Sequence, residues 1–374
     1  MKRPNTTIAL MSGHTRSRCS WLVCGLLCNV LALPAQGGFQ DPLDLPARMV
    51  SNLDTRPLQS IAQAGKRLVA VGARGLIISS DDGGVSWQQS ASPVQSDLVA
   101  VQFPSATDGW AVGHDGVILH SADAGKTWEK QLDGRSAKDA FSRHYQASAD
   151  AGNETSEDAL QLIERNYAAG PTLPLLDVWF EDTERGYAVG SFGMLLGTRD
   201  GGQHWEPLLE RIDNQDSLNL NSIRGIDGDL YIAAESGTLY RMKPSDERFE
   251  RVQTGYEGSF FGVVGFGEVI IAYGLVGTVY RSVDRGATWA AMDTPSAAII
   301  TAGVALPAEK RVLLVNASGE LLLGDEQGAK LTVRNTAKAS RYTGVLPLAD
   351  GRLLLTSLEG IRTESLRTDA ATQR

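Results

Sequence analysis

Downstream of residue 28 the chain contains no cysteine. Its three thiols, Cys19, Cys24 and Cys28, all sit near the N-terminus. This excludes disulfides, thiolate nucleophiles and thiolate metal sites from the body of the protein. Histidine is almost as scarce. Beyond residue 36 only His114, His120, His144 and His204 remain, and no spacing among them suggests a ligand set. No metal site and no cofactor is expected. No glycine-rich loop leads from a strand into a helix, so a phosphate cradle of the usual kind is excluded. No G-x-S-x-G elbow presents a serine nucleophile. The apolar run at 21–33 is about 13 residues, short for a spanning helix of about 20. Positive charge is also in short supply, with 35 Lys and Arg against 44 Asp and Glu. An acidic chain is a poor partner for nucleic acid.

The N-terminal stretch differs from the rest. It carries Lys2, Arg3, Arg16 and Arg18 and no acidic residue before the apolar run. Small residues follow at Leu33-Pro34-Ala35-Gln36-Gly37. Basic, apolar, then small is the layout of a secretory signal peptide, here residues 1–36, with Met1 or Met11 as the start. None of the three cysteines follows the small residues that lipid attachment requires. Cleavage would remove every cysteine and four positive charges, taking the net charge from −9 to −13. It would also leave no membrane span. A disulfide-free exported chain points to a periplasm.

What the chain does have is one phrase written four times, [ST]-x-D-x-G-x-[TSH]-W. It occurs at 80–87, 121–128, 198–205 and 282–289. Its fixed residues are Asp82, Gly84 and Trp87; Asp123, Gly125 and Trp128; Asp200, Gly202 and Trp205; and Asp284, Gly286 and Trp289. Each copy joins two apolar runs and reads as a turn. The aspartate accepts hydrogen bonds from its own turn, and the glycine takes positive φ. The tryptophan folds back into an apolar layer. A turn repeated in unit after unit is scaffold, not a single active site.

The frame around these clips repeats as well. An apolar strand leads to a V-G-x-x-G turn, as in Val71-Gly72-Ala73-Arg74-Gly75 or Val189-Gly190-Ser191-Phe192-Gly193. Three further units keep the frame without the clip. Phe249 and Leu331 stand where tryptophan would fall in two of them, and Gly360 marks the last. Units of about 40–45 residues with four short strands are propeller blades. The expected fold is all-β: a seven-bladed β-propeller over 37–366 with four-stranded antiparallel blades. The last unit ends after its third strand. Residues 45–53, from Leu45 to Leu53, are expected to supply the missing fourth. The polar end, 367–374, reads as a flexible tail.

One spacing breaks the period. Trp128 and Trp205 are 77 residues apart. The excess, 134–174, is expected to be a helical insert between blades two and three. Leu160, Ile163 and Tyr167 recur at helical spacing behind a Ser156 cap, and a weaker helix precedes them at 137–149. Turns along a blade alternate between the two faces of the disc. The insert therefore shares a face with the V-G-x-x-G turns, opposite the clips. On that face Arg74, His114, Asp115, Phe192 and the insert's Tyr167 are the expected partner-binding residues, since loops on a rigid frame carry function.

The four clips inside the V-G-x-x-G frame resemble the BNR, or Asp-box, propellers. Val71 to Gly75 followed by Ser80 to Gly84, together with Gly109-Trp110-Ala111-Val112-Gly113, is closer still to the Ycf48/Hcf136-like photosystem II stability and assembly factors. That resemblance spans about residues 58–366. It implies an exported, non-catalytic scaffold that binds a membrane protein or peptide. The insert, and the lack of an arginine patch on the turn face, resemble a non-photosynthetic bacterial branch associated with RND-type exporters. The alternative class is an Asp-box glycoside hydrolase such as a sialidase. Arg56-Pro57 lacks the isoleucine of a sialidase segment, no arginine triad is present, and the carboxylates Asp115, Glu235 and Glu359 fall on blades two, four and seven.

Overall fold

Each clip folds around its aspartate. In blade one, Asp82 Oδ1 accepts from Ser80 Oγ at 2.7 Å, Val85 N at 3.0 Å and Ser86 N at 2.9 Å, and Oδ2 accepts from Ser86 Oγ at 2.5 Å. The Ser80 hydroxyl also accepts from Gly84 N at 2.8 Å. The Asp123, Asp200 and Asp284 clips repeat the pattern, with His204 Nδ1 replacing the hydroxyl at 2.7 Å from Asp200 Oδ2. The fixed glycine has φ of +79° at Gly125 and +81° at Gly202. A Cβ on Gly202 would lie 2.1 Å from Gln131 Oε1, so glycine is required on both counts. Blade six keeps more of a clip than its sequence suggests, because Asp325 Oδ1 accepts from Ala329 N at 2.7 Å and Gln327 N at 3.2 Å.

These turns pin seven antiparallel sheets. The computed structural model describes residues 40–325 and 327–365. The expected signal peptide and tail lie outside the described residues. Blade one runs outward from the axis as β1 (Leu58–Ala64), β2 (Arg67–Gly72), β3 (Ile77–Ser80) and β4 (Gln88–Gln89). Five more four-stranded sheets follow, with inner strands Leu98–Gln102, Leu175–Phe180, Leu220–Ile226, Phe260–Phe266 and Ile300–Leu306. The core is divided among the junctions between neighbouring sheets. Trp128, for example, packs with Val69, Val71 and Ile77 of blade one. Leu354 and Ile361 of blade seven pack with Leu58, Leu68 and Ile78 of blade one, which closes the ring. Burial of such side chains stabilises by about 1.5–3 kcal/mol each.

Side chains of the inner strands also stitch blade to blade. Gln102 Nε2 donates to Phe180 O at 3.1 Å, Asp177 Oδ2 accepts from Ile223 N at 2.9 Å, and Asn221 Nδ2 donates to Phe260 O at 2.8 Å. Thr301 Oγ1 reaches Tyr342 O at 2.7 Å. At the closing seam Thr343 Oγ1 donates to Leu58 O at 2.7 Å, and Arg352 Nη1 to Gly83 O at 3.0 Å.

The expected closing strand is not there. Blade seven has three strands, Tyr342–Pro347, Arg352–Ser357 and Gly360–Ser365, and residues 45–53 form no strand. Their backbone groups are taken by blade one and its exit. Ala47 N donates to Ser92 O at 2.9 Å, Val50 N to Gln89 Oε1 at 2.9 Å, and Arg48 O accepts from Gln89 Nε2 at 2.9 Å. Pro46 removes a donor that a ladder would need. The segment is a strap over the rim of the turn face. It begins beside blade two, where Lys130 Nζ reaches Leu43 O at 2.9 Å. It reaches blade seven at Leu53–Thr55, where a Cβ on Gly360 would lie 1.9 Å from Asp54 O.

Two helices form the insert, α1 (Gly134–Asp150) and α2 (Glu154–Asn166). Asp133 caps α1 through Arg135 N and Ser136 N, with Ser136 Oγ closing a capping box. α2 starts earlier than its hydrophobic spacing implied. Its cap is Asn153, which accepts from Ser156 N, and Ser156 lies inside the helix. Ala137, Phe141 and Tyr145 of α1 and Ala159, Leu160 and Ile163 of α2 are buried with Trp110, Phe180 and Trp205 of blades two and three. Tyr145 Oη donates to Glu210 Oε2 at 2.7 Å and accepts from Leu209 N at 2.8 Å. The insert is therefore a fixed part of the disc.

Candidate functional site

The strap and the insert both lie on the face formed by the V-G-x-x-G turns. In five of those turns the second x residue takes the left-handed conformation: Arg74 (φ 56°), Asp115 (58°), Phe192 (54°), Ser236 (53°) and Val276 (53°). The following glycine is also left-handed and abuts the blade-to-blade connection. A Cβ on Gly237 would sit 1.7 Å from Tyr256 O, and one on Gly277 1.9 Å from Ser296 O. The turn cannot relax there, so its apex residue is held in place. Asp and Ser accept this conformation at modest cost. A bulky or β-branched residue costs about 1–3 kcal/mol.

The structure brings three of the sequence-predicted residues together. Arg74 is exposed, and its N–H donates to Asp97 Oδ1 at 2.7 Å. His114, also exposed, donates its N–H to Asp97 O at 2.9 Å. Asp115 Oδ2 accepts from Ser96 Oγ at 2.7 Å, and the start of α1 lies directly over this turn. Phe192 stands apart at blade three, 52% exposed. Its N–H donates to Asn219 Oδ1 at 2.8 Å, and its carbonyl accepts from Asn166 Nδ2 of α2 at 3.2 Å.

Tyr167 is a correction. It was expected to face a partner, but it is 3% exposed and packs beneath α2. Burial alone pushes its phenol well above the ordinary tyrosine range. At the C-cap of α2 its ring completes the helix's apolar stripe, so it supports the insert from below.

Sequence reasoning also missed exposed apolar residues on this face, Val276 (70% exposed) and Ile299 (39%) at the turns and connections and Met49 (72%) and Val50 (37%) on the strap. For Val276 the available signal was a β-branched residue at a turn position that demands positive φ. The carboxylates considered for hydrolysis serve their own turns. Glu235 accepts from Asn219 N at 2.9 Å and Nδ2 at 3.1 Å, and Glu359 from Arg341 N at 2.9 Å and Nε at 2.8 Å. Among the described residues no three His, Cys, Asp or Glu side chains gather as a metal site. No helix among them is long and apolar enough to cross a membrane.

A family model for the photosynthesis system II assembly factor YCF48 matches residues 58–136 and 164–340. The chain belongs to the YCF48 family. The match leaves 137–163 uncovered, which is most of α1 and α2. A photosystem II assembly lipoprotein Ycf48 from Synechococcus sp. (strain CC9902) is 29% identical over 128 residues, 33% of this chain. The match spans 38% of that relative's length. Two solved structures share the fold. YCF48 bound to a D1 peptide superposes with a TM-score of 0.61 at 13% identity, over 87% of this chain and 100% of that one. YCF48 from Cyanidioschyzon merolae gives 0.60 at 16% identity, over 86% and 98%. The YCF48-family turns of this chain thus stand on a seven-bladed propeller, as their repeat predicted.

Proposed function

We propose that this YCF48-family protein is a non-catalytic assembly scaffold, exported to the periplasm, that holds a peptide segment of a membrane protein on its turn face. One observation carries the reading. Both additions to the blade frame, the strap and the insert, lie on that face, and the rigid turns there present exposed side chains at Arg74, His114 and Phe192. Two relatives add support, one named an assembly lipoprotein and one solved with a D1 peptide. The basic, apolar and small layout of residues 1–36 supports export. An RND-type exporter belongs among the membrane proteins to be tested, on the strength of the insert.

Deleting the insert is a poor test, because Phe141, Tyr145 and Ile163 belong to the core of blades two and three. A photo-crosslinking side chain placed at Arg74 or Phe192, with Lys126 on the clip face as control, tests the reading in the cell of origin. A membrane protein captured from the two turn-face positions and absent from Lys126 is the expected result. Capture from the clip face alone, or from neither face, refutes it.

A further inference from the structure

We propose that the turn face over blades three to six binds a basic, amphipathic segment of the partner. This rests on the scaffold reading above and specifies the partner's chemistry.

The apolar half of the argument is strain without a folding return. Phe192 and Val276 sit at the apices of the blade three and blade five turns, both left-handed, 52% and 70% exposed. Asparagine or glycine would relieve the backbone at either position. Neither side chain contributes to a core cluster that would offset the cost. Ile299, 39% exposed, extends the apolar surface at the entry to blade six, where its carbonyl accepts from Ala317 N at 2.9 Å. The strap and the insert occupy the rim over blades seven, one and two, and at blade three α2 reaches the Phe192 carbonyl while leaving its side chain exposed. The arc over blades four to six is left open.

Charge identifies the occupant. Three carboxylates border this arc. Glu235 is held in the blade four turn by Asn219. Glu257 is exposed, next to the connection whose Gly258 carbonyl accepts from Gly237 N at 2.6 Å. Glu320 of blade six accepts from Ser296 and Asn316, and these hydrogen bonds hold it ionised below the usual carboxylate range. None of the three forms an ion pair among the described residues, so each is open to an outside cation. The neighbouring cations are Arg165 at the end of α2, bonded to Ser217 Oγ at 3.3 Å, Arg251, already ion-paired with Asp216 at 3.0 Å, and the exposed Lys338 on the connection beside the blade six turn. On blade seven, by contrast, Glu359 is already paired with Arg341 at 2.7 Å. An apolar patch bordered by unpaired carboxylates complements a segment with leucine-like residues on one side and lysine or arginine on the other.

Fluorescence anisotropy with labelled synthetic peptides tests this on the intact exported chain. A lysine–leucine amphipathic peptide should bind. The same peptide with glutamate for lysine, or with serine for leucine, should bind at least about tenfold more weakly. Val276→Asn and Phe192→Asn should each weaken the lysine–leucine peptide by about tenfold while raising the thermal midpoint, so misfolding cannot explain the loss. Glu257→Lys should weaken binding and flatten its salt dependence. Val85→Ser, which removes an equally exposed side chain from the clip face, should change nothing. Equal binding of the glutamate–leucine peptide, or unchanged affinity in the F192N/V276N double variant, overturns the proposal. Crosslinks from Arg74 and Phe192 together with equal binding of the glutamate–leucine peptide would leave the scaffold reading standing and remove only the basic partner.

Discussion

Replacing Gln131 by leucine should destabilise the propeller more than any exposed change on the same blade. Gln131 Oε1 accepts from two indole N–H groups, Trp110 at 3.1 Å and Trp205 at 3.2 Å, and its Nε2 donates to Gly201 O at 2.8 Å. One side chain on the outer strand of blade two thus satisfies a tryptophan of its own blade and the clip tryptophan of blade three. Trp110 has no exposure and Trp205 only 8%, so water cannot replace the lost acceptor. Each buried donor left unpaired costs about 1–3 kcal/mol. The Gly201 carbonyl is half-buried and adds little, since solvent reaches it. Leucine returns about 1 kcal/mol through apolar burial. The net loss should be about 2–4 kcal/mol, a fall in midpoint of about 3–6 °C for a domain of this size. Urea unfolding followed by tryptophan fluorescence measures it. A loss below about 1 kcal/mol would mean that the indoles find other partners, and the account of this junction would be wrong.

Other expectations follow from the clips, the insert and the seam. The hydroxyls of Ser86 and Thr288 and the turn N–H groups hold the Asp82 and Asp284 carboxylates below the ordinary range, Asp284 at about 2. A carboxylate depressed in the folded state contributes stability above its unfolded pKa of about 4 and loses it as pH falls towards 2. Urea midpoints should therefore drop steeply between about pH 4 and pH 2, and a flat profile in that window would refute the assignment. Tyr145→Phe strips Leu209 N of its acceptor and should raise hydrogen exchange across 134–166 while leaving the inner strands protected. Equal acceleration everywhere would show that the insert does not open separately. Thr343→Val combined with Arg352→Ala removes both seam bonds. It should cost about 1–3 kcal/mol in urea unfolding, and a change within error would show that apolar packing alone closes the ring.

The parts of this fold legible from sequence are those whose partners lie within a few residues. A clip aspartate bonds groups two to four positions away, so four copies announce themselves. The helices of the insert were visible in the spacing of Leu160 and Ile163 for the same reason. What escaped depends on distant partners. Arg135 grips Asp44 at 2.8 Å from 91 residues away, and no local pattern shows that this contact draws the strap over the rim. Gln131 is an unremarkable residue of a short strand until blade three is placed beside it. Tyr167 illustrates the limit for the site. Helical spacing put it on the apolar stripe, but only the packing shows that this stripe faces down onto the blades. Asp325 kept its turn while losing the consensus around it, so its clip was invisible to the motif.

A disc closed by side chains has one place where load concentrates. Every other pair of neighbouring blades is joined by a length of backbone. Blades seven and one are held by the Thr343 and Arg352 bonds, by the packing of Leu354 and Ile361 against Leu58 and Leu68, and by the strap end lying on Gly360. Tension applied between the two ends of the propeller would shear that junction first and unroll the disc from it. Rejoining the ends there and cutting the chain elsewhere would carry the mechanical weak point to the new cut.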